Sequence, residues 1–297
     1  MSVLAFENIV RYFRRGHNVL DGVGFEIGAG EVVGLLGKNG AGKTTLIQIA
    51  LGVLHPQQGS ASVFGLDPAV HPLEVKQQVG YVSEDQILPE FLKVREVLTL
   101  HRGLFPGWDP ILEKEMLERF QIRTDARVKE LSKGEARQVA LLCAVVHRPK
   151  LLLLDEPAGG LDPAVRREFL ETSIQLLNDA GTTILFSSHY MTDVERMAGR
   201  IIMLHSGKVL LDDALDDLQE RFSMVLLPLE NGMTEERARS LPGCVAVRRR
   251  NGSIHAILRM GREEGLQAVQ QALGAEAVRC ETIPLEEMFI ELLGGQP

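Results

Sequence analysis

The chain has 297 residues, with 32 Lys and Arg against 40 Asp and Glu, a net charge of −8 and a pI near 5.6. That acidic balance argues against a nucleic-acid coat, and 45% hydrophobic with 24% charged residues excludes disorder as the main state and suits roughly two domains. Three widely spaced cysteines, Cys143, Cys244 and Cys280, fit neither a disulfide framework nor a zinc cluster and point to a reducing cytoplasm.

The opening MSVLAFENIV carries Glu7 inside its apolar stretch and has no basic lead, so it predicts a first strand rather than a secretion signal. Apolar segments then alternate with helical patterns: Glu31–Leu36, Lys43–Leu54, Val139–Val146, Leu151–Leu154, Arg166–Leu177 and Thr182–Ser187. Strand–helix alternation predicts an α/β fold with a largely parallel sheet. The longest apolar run, Val139–Val146, ends at His147 and falls well short of the about 20 residues that a bilayer-spanning helix needs. Between about Asp67 and Lys129 the pattern turns helical, punctuated by Pro89, Pro106, Gly107 and Pro110, and predicts an inserted helical lobe.

Beyond Lys208, the strand Val209–Leu211 runs into LDDALDDLQE, whose four aspartates fall on helix-favouring sequence. They could bind a cation, but a solvated helical face is the simpler reading. The tail then reads β (Ser223–Leu229), α (Thr234–Leu241), β (Cys244–Arg250), a turn at Asn251-Gly252, β (Ser253–Met260), α (Glu264–Leu273), β (Ala277–Ile283) and a closing helix from Leu285. This order predicts a small α+β domain of the ferredoxin-like βαββαβ type, with Asn-Gly as its hairpin cue.

Gly37-Lys38-Asn39-Gly40-Ala41-Gly42-Lys43-Thr44 matches G-x-x-x-x-G-K-S/T, follows the strand Val32–Leu36 and opens a helix. A pattern fixing four positions arises by chance in roughly one chain in a hundred, but seldom in that setting. Its glycines let backbone N–H groups turn around phosphate oxygens, and the helix offers its positive end to the same anion. Lys43 can then reach the β and γ phosphates, and Thr44 can give its hydroxyl to Mg²⁺.

Leu151–Leu154 leads into Asp155 and Glu156, two carboxylates at a strand's carboxyl end, where open α/β sheets bind ligands. Asp155 suits a Mg²⁺ shell, and Glu156 is placed to orient and deprotonate an attacking water. Leu131-Ser132-Lys133-Gly134-Glu135 precedes the apolar helix, and Ser132 with Glu135 forms a capping box. A cap alone gives no reason for Gly134, about 1 kcal/mol worse than Ala in a helix; a phosphate close to that N-terminus would.

With LSKGE, LLLLDEP, AGGLD and SSH, residues 3–215 resemble the ATP-binding cassette of ABC transporters. The resemblance implies a P-loop NTPase fold: a RecA-like core with a helical subdomain about residues 84–148 in a cassette of residues 1–215, and an accessory or regulatory domain at 216–297. It implies that the phosphate loop, with Thr45, holds ATP, and that Ser132, Gly134 and Glu135 meet the γ-phosphate of a partner subunit's ATP. His189 matches the family's switch histidine and Asp162 its coupling loop between the two sites. Tyr12 or neighbouring Phe13 would stack on adenine. Lys43, Glu156 and His189 form the implied catalytic set, and Thr44, Glu84 and Asp155 the implied Mg²⁺ ligands. Three departures stand out: Glu84 where Gln is usual, Lys133 and Glu135 where Gly and Gln are commonest, and Gly159 in place of Ser.

No second phosphate loop follows residue 215, so the resemblance implies one cassette, a second nucleotide-binding subunit (a homodimer) and a separate membrane permease at the inner face of the cell membrane. LFPGWDP and PLEEMFIELLGG are similar to the bacterial branch with drug and antibiotic exporters. Phe91, Phe105 and Trp108 are candidate anchors for the membrane subunit, with core packing as the alternative for each. The alternative function is a soluble ABC ATPase acting as a regulator or scaffold without transport. In the tail, Phe222 and Phe289 are the sole aromatics, too few for an RNA-stacking sheet, and Arg248–Arg250 reads as a solvated strand end.

Overall fold

The computed structural model describes residues 2–14, 16–84, 88–162, 166–167, 169–171, 173, 181–229, 233–250, 252–273 and 279–292. They fall into two compact units, Met1–Asp212 and Asp213–Pro297. Strands in chain order through the first are β1 (Ser2–Arg14), β2 (His17–Gly28), β3 (Val32–Leu36), β4 (Gln58–Val63), β5 (Val79–Val82), β6 (Leu151–Leu154), β7 (Thr183–Ser188), β8 (Arg200–His205) and β9 (Lys208–Ala214).

β6 is four leucines, each with no exposed surface, and β3 is nearly as buried. Strands covered on both faces read as continuous apolar runs, as in parallel sheets. They lie in a six-stranded sheet of order β5-β6-β7-β3-β8-β9, and the pairs β5–β6, β6–β7, β3–β7 and β3–β8 are parallel. β3 and β7 end level, Leu36 beside Ser188, and β6 stops two residues short of them, Leu154 beside Phe186. A second, antiparallel sheet, β2-β1-β4, shares one core with it. Leu4, Phe6 and Ile9 of β1 join Leu35, Leu153 and Leu185, with Leu46, Ile47 and Ile49 from the helix Lys43–Ala50.

Several expectations need correction. The helix expected to reach Leu54 stops at Ala50, because Gly52 turns left-handed (φ 66°) where a Cβ would lie 2.1 Å from the Pro68 carbonyl. The stretch Asp67–Lys129 is not wholly helical; β5 crosses it and joins the parallel sheet. Asp212 and Asp213 lie on β9 rather than on a helix and pair with Arg200 and Arg221, while Asp216 and Asp217 stand exposed on the helix Leu215–Arg221 as expected. Of the helix expected at Arg166–Leu177, residues 166–167, 169–171 and 173 are helical and the rest lie outside the described residues.

The helical lobe comprises Val94–Leu104, Pro110–Arg119 and Lys133–Val145. Asp109 caps the second, accepting from the Ile111 and Leu112 N–H groups while Arg148 donates to its other oxygen at 2.7 Å. These bonds, the Leu112 one foremost, hold its carboxyl below the ordinary range. His147, at the lobe's base, stacks on Phe105 with ring centroids 4.0 Å apart and is 7% exposed. Burial pushes its imidazole below the ordinary 6.5. The unfolded chain therefore takes up a proton that the folded chain refuses, so stability should fall as pH drops through that range. His147→Leu should flatten the dependence between pH 7.5 and 5.5 in urea titrations.

The second unit holds β10 (Ser223–Pro228), β11 (Cys244–Arg250), β12 (Ser253–Leu258) and β13 (Arg279–Thr282). Their antiparallel order β11-β12-β10-β13 is the ferredoxin-like arrangement, with Val225, Leu227, Ile254, Ala256 and Val269 at its core. Arg249 and Arg250 are exposed as expected, and Arg250 also pairs with Glu287 of the closing helix Leu285–Leu292. Asn251 of the expected turn lies outside the described residues. Among the described residues, no helix is long and apolar enough to cross a membrane.

Candidate functional site

The carboxyl ends of β3, β6 and β7 deliver the phosphate loop, the carboxylate pair and His189 to one level of the sheet. Gly42 begins the helix Lys43–Ala50 with φ 107°, and a Cβ there would lie 2.5 Å from Leu20 Cδ2, so only glycine fits the turn. Gly37 is as constrained: a Cβ would stand 2.7 Å from the Leu204 carbonyl. No side chain caps this helix at Gly42, which leaves its first N–H groups for an anion. Thr44 is exposed at this end and Thr45 is buried.

Lys43 Nζ donates to the Gly37 carbonyl at 2.7 Å and lies 3.1 Å from Glu156 Oε1, in a pair 6% and 8% exposed. The other Glu156 oxygen accepts from His189 Nδ1 at 2.9 Å, so that nitrogen carries the proton. One carboxylate thus links the phosphate loop and the histidine. Glu156 itself sits at φ 45°, a left-handed backbone unusual for a side-chain-bearing residue. Its N–H donates to Ser187 Oγ at 2.8 Å, and that hydroxyl donates to Asp155 Oδ1 at 2.7 Å. Ser187 therefore orients both carboxylate residues, a role that follows from the β6–β7 register.

The His189 and Tyr190 rings lie tilted by 39° with centroids 3.9 Å apart, and the Arg166 guanidinium lies 3.3 Å over the Tyr190 ring while it pairs with Asp193. Arg166 N–H also donates to the Asp162 carbonyl at 2.8 Å, which joins the AGGLD loop to this cluster. Glu84 is exposed, and its Oε1 lies 3.4 Å from where a Cβ on Gly159 would stand. Two of the sequence departures thus meet in space.

The start of the helix Lys133–Val145 is capped reciprocally. Glu135 N–H donates to Ser132 Oγ at 3.2 Å, and Ser132 N–H donates to Glu135 Oε2 at 2.7 Å. These bonds, with Arg123 nearby, hold the Glu135 carboxyl below the ordinary range. Glu135 is therefore engaged by its own helix end. Tyr12 pairs with Asn18 across the sheet and has its backbone held at both N–H and carbonyl by Gln57; Phe13 is 60% exposed with the Arg11 guanidinium 4.9 Å from its ring. Arg137 was not singled out in the sequence, yet its guanidinium donates to carbonyls at Ser83, Glu84, Glu156, Pro157 and Gly159.

A family model described as ABC transporter matches residues 20–159. An uncharacterized ABC transporter ATP-binding protein of Alkalihalophilus pseudofirmus is 34% identical over 275 residues, covering 88% of this chain and 98% of the relative. The chain belongs to the ATP-binding proteins of ABC transporters. A Nod factor export ATP-binding protein I of Burkholderia pseudomallei is 39% identical over 66% of each chain. A solved ATP binding subunit of an ABC transporter, 31% identical, superposes with TM-score 0.66 over 73% of this chain and 92% of that one. As an ABC ATP-binding protein the chain binds and hydrolyses ATP, and its family fixes the P-loop fold described above.

Proposed function

We propose that this subunit pairs with a second copy of itself around two ATP molecules and drives a separate membrane permease at the inner face of the membrane, for export. The observation that carries the proposal is the junction of Lys43, Glu156 and His189 beyond the carboxyl ends of β3, β6 and β7. The likeness to a Nod factor export ATP-binding protein favours export. In this reading residues 37–45 hold the triphosphate, Tyr12 or Phe13 stacks on adenine, and Ser132 and Gly134 reach the partner copy's γ-phosphate. Asp162 couples the two sites. Residues 1–215 act as the cassette, and 216–297 as an accessory domain.

Glu156 takes the proton of the attacking water, while His189, fixed by its Nδ1–H bond to Glu156, keeps Nε2 for the water or the γ-phosphate. Lys43 exchanges Glu156 for phosphate oxygens. Exposed Thr44, Asp155 and exposed Glu84 are hard oxygen donors, and Asp155 Oδ1 is already oriented by Ser187, so the set fits Mg²⁺. The ion would neutralise charge that develops on the transferred phosphoryl group. Glu84→Gln should leave ATP affinity nearly intact and alter turnover; loss of affinity instead would mark Glu84 as an obligatory ligand, read by nucleotide titration.

For the permease, a cavity of about 280 Å³ is lined by Leu51, Val53, Tyr81, Phe105, Cys143 and His147, among others. It suits a short cytoplasmic helix of the membrane subunit. Phe105 lines it, Phe91 is exposed, and Trp108 is half-buried with its Nε1 donating to Glu113. The solution mass of Glu156→Gln with and without Mg-ATP tests self-pairing: a shift from monomer to dimer supports it, and an ATP-bound monomer overturns it. Co-purification with a polytopic membrane protein in mild detergent tests the transporter role, and its absence would sink that role.

A further inference from the structure

We infer that Arg137 is the positioning residue that makes this chain's own hydrolytic carboxylate respond to ATP held by the partner copy. The inference rests on the two-copy reading above. Arg137 is the fifth residue of the helix Lys133–Val145, one turn beyond Gly134, so it shares a rigid segment with the capped end that carries Ser132 and Gly134. Its guanidinium leaves that segment to gather backbone carbonyls of two separate loops. Ser83 at 3.2 Å and Glu84 belong to the loop after β5; Glu156 at 3.4 Å, Pro157 at 3.0 Å and Gly159 at 3.3 Å belong to the loop after β6.

Those carbonyls lie past the strand ends, where the ladder no longer supplies donors. A planar fork of five N–H groups can serve several of them at once; a lysine ammonium, with three donors around one point, cannot span them. The strained φ of 45° at Glu156 persists only where its surroundings over-determine it, and the Arg137 bonds to the Glu156 and Pro157 carbonyls help to do so. A shift of the capped helix end on meeting the partner's γ-phosphate therefore moves Arg137, and with it the backbone that aims Glu156 and Glu84. In this role Arg137 is a positioning residue and not a ligand of the phosphate. It acts through the loops it holds.

Steady-state ATP hydrolysis by the purified full chain tests this with Arg137→Met, Arg137→Lys, Ser132→Ala and the double variant Ser132→Ala/Arg137→Met. Arg137→Met should lower kcat about 10²-fold, since misplacing a reacting group by about 1 Å costs that much. KM for ATP should stay within about threefold, because the phosphate loop is untouched. Arg137→Lys should fall between, and it also serves if the Met variant does not fold. The double variant should be little worse than the poorer single one, because both break the same link. Unchanged kcat in both Arg137 variants, a rise in KM that accounts for the loss, or additive effects in the double variant would overturn the inference. If Glu156→Gln pairs on Mg-ATP while the double variant is additive, the Arg137 inference alone fails; if it never pairs, the two-copy reading fails and takes the inference with it.

Discussion

Replacing Glu156 with glutamine is expected to slow ATP turnover about 10²- to 10⁴-fold while ATP stays bound, the usual worth of a positioned proton acceptor. Glutamine matches the shape of glutamate and can still accept a hydrogen bond from His189 Nδ1, which lies 2.9 Å from the carboxylate. It cannot take a proton from water at neutral pH. The phosphate loop is untouched, and Lys43 keeps its bond to the Gly37 carbonyl. Phosphate release measured beside nucleotide binding checks the expectation, and a variant retaining more than about a tenth of the turnover would remove Glu156 from the base role.

Lys43→Ala should act more broadly, with ATP turnover down about 10²- to 10³-fold, as for loss of one preorganised charge donor, and ATP affinity reduced with it. It should also destabilise the fold. The Lys43–Glu156 pair is 6% and 8% exposed, and removing one partner of a buried pair typically costs about 3 kcal/mol because the other charge is left behind. Lys43→Ala/Glu156→Gln should recover stability without recovering turnover. Urea midpoints of the single and double variants separate the two effects, and equal midpoints would show that the pair does not bear on folding.

The parts of this site that the sequence made legible are those whose chemistry is written in consecutive residues. Residues 37–44, the leucines before Asp155 and the segment before His189 each announce a strand end with a reactive group attached. The tail was legible for a similar reason: its apolar alternation and Asn-Gly turn specify strands locally. What stayed hidden depends on partners far along the chain. The Lys43–Glu156 contact joins residues 113 apart, and nothing local marks it. Arg137 was invisible because its partners are backbone carbonyls, which every residue carries. β4, with sequence QGSASV, is too polar to read as a strand until β1 pairs with it. Asp212 looked helical because its neighbours favour helix, yet Arg200 secures it on β9 at 2.7 Å.

The side-by-side placement of β6, β7 and β3 has a consequence for how damage to this protein would show itself. Adjacent parallel strands stand about 4.8 Å apart, so β6, β7 and β3 set a span of about 10 Å that the backbone ladder, and no flexible side chain, keeps constant. The sheet is in effect a ruler for its substrate. Lesions in the buried interior of β7, such as an enlarged residue beside Phe186, should therefore appear as misread length: nucleotide held and product scarcely formed, with the first unit still folded.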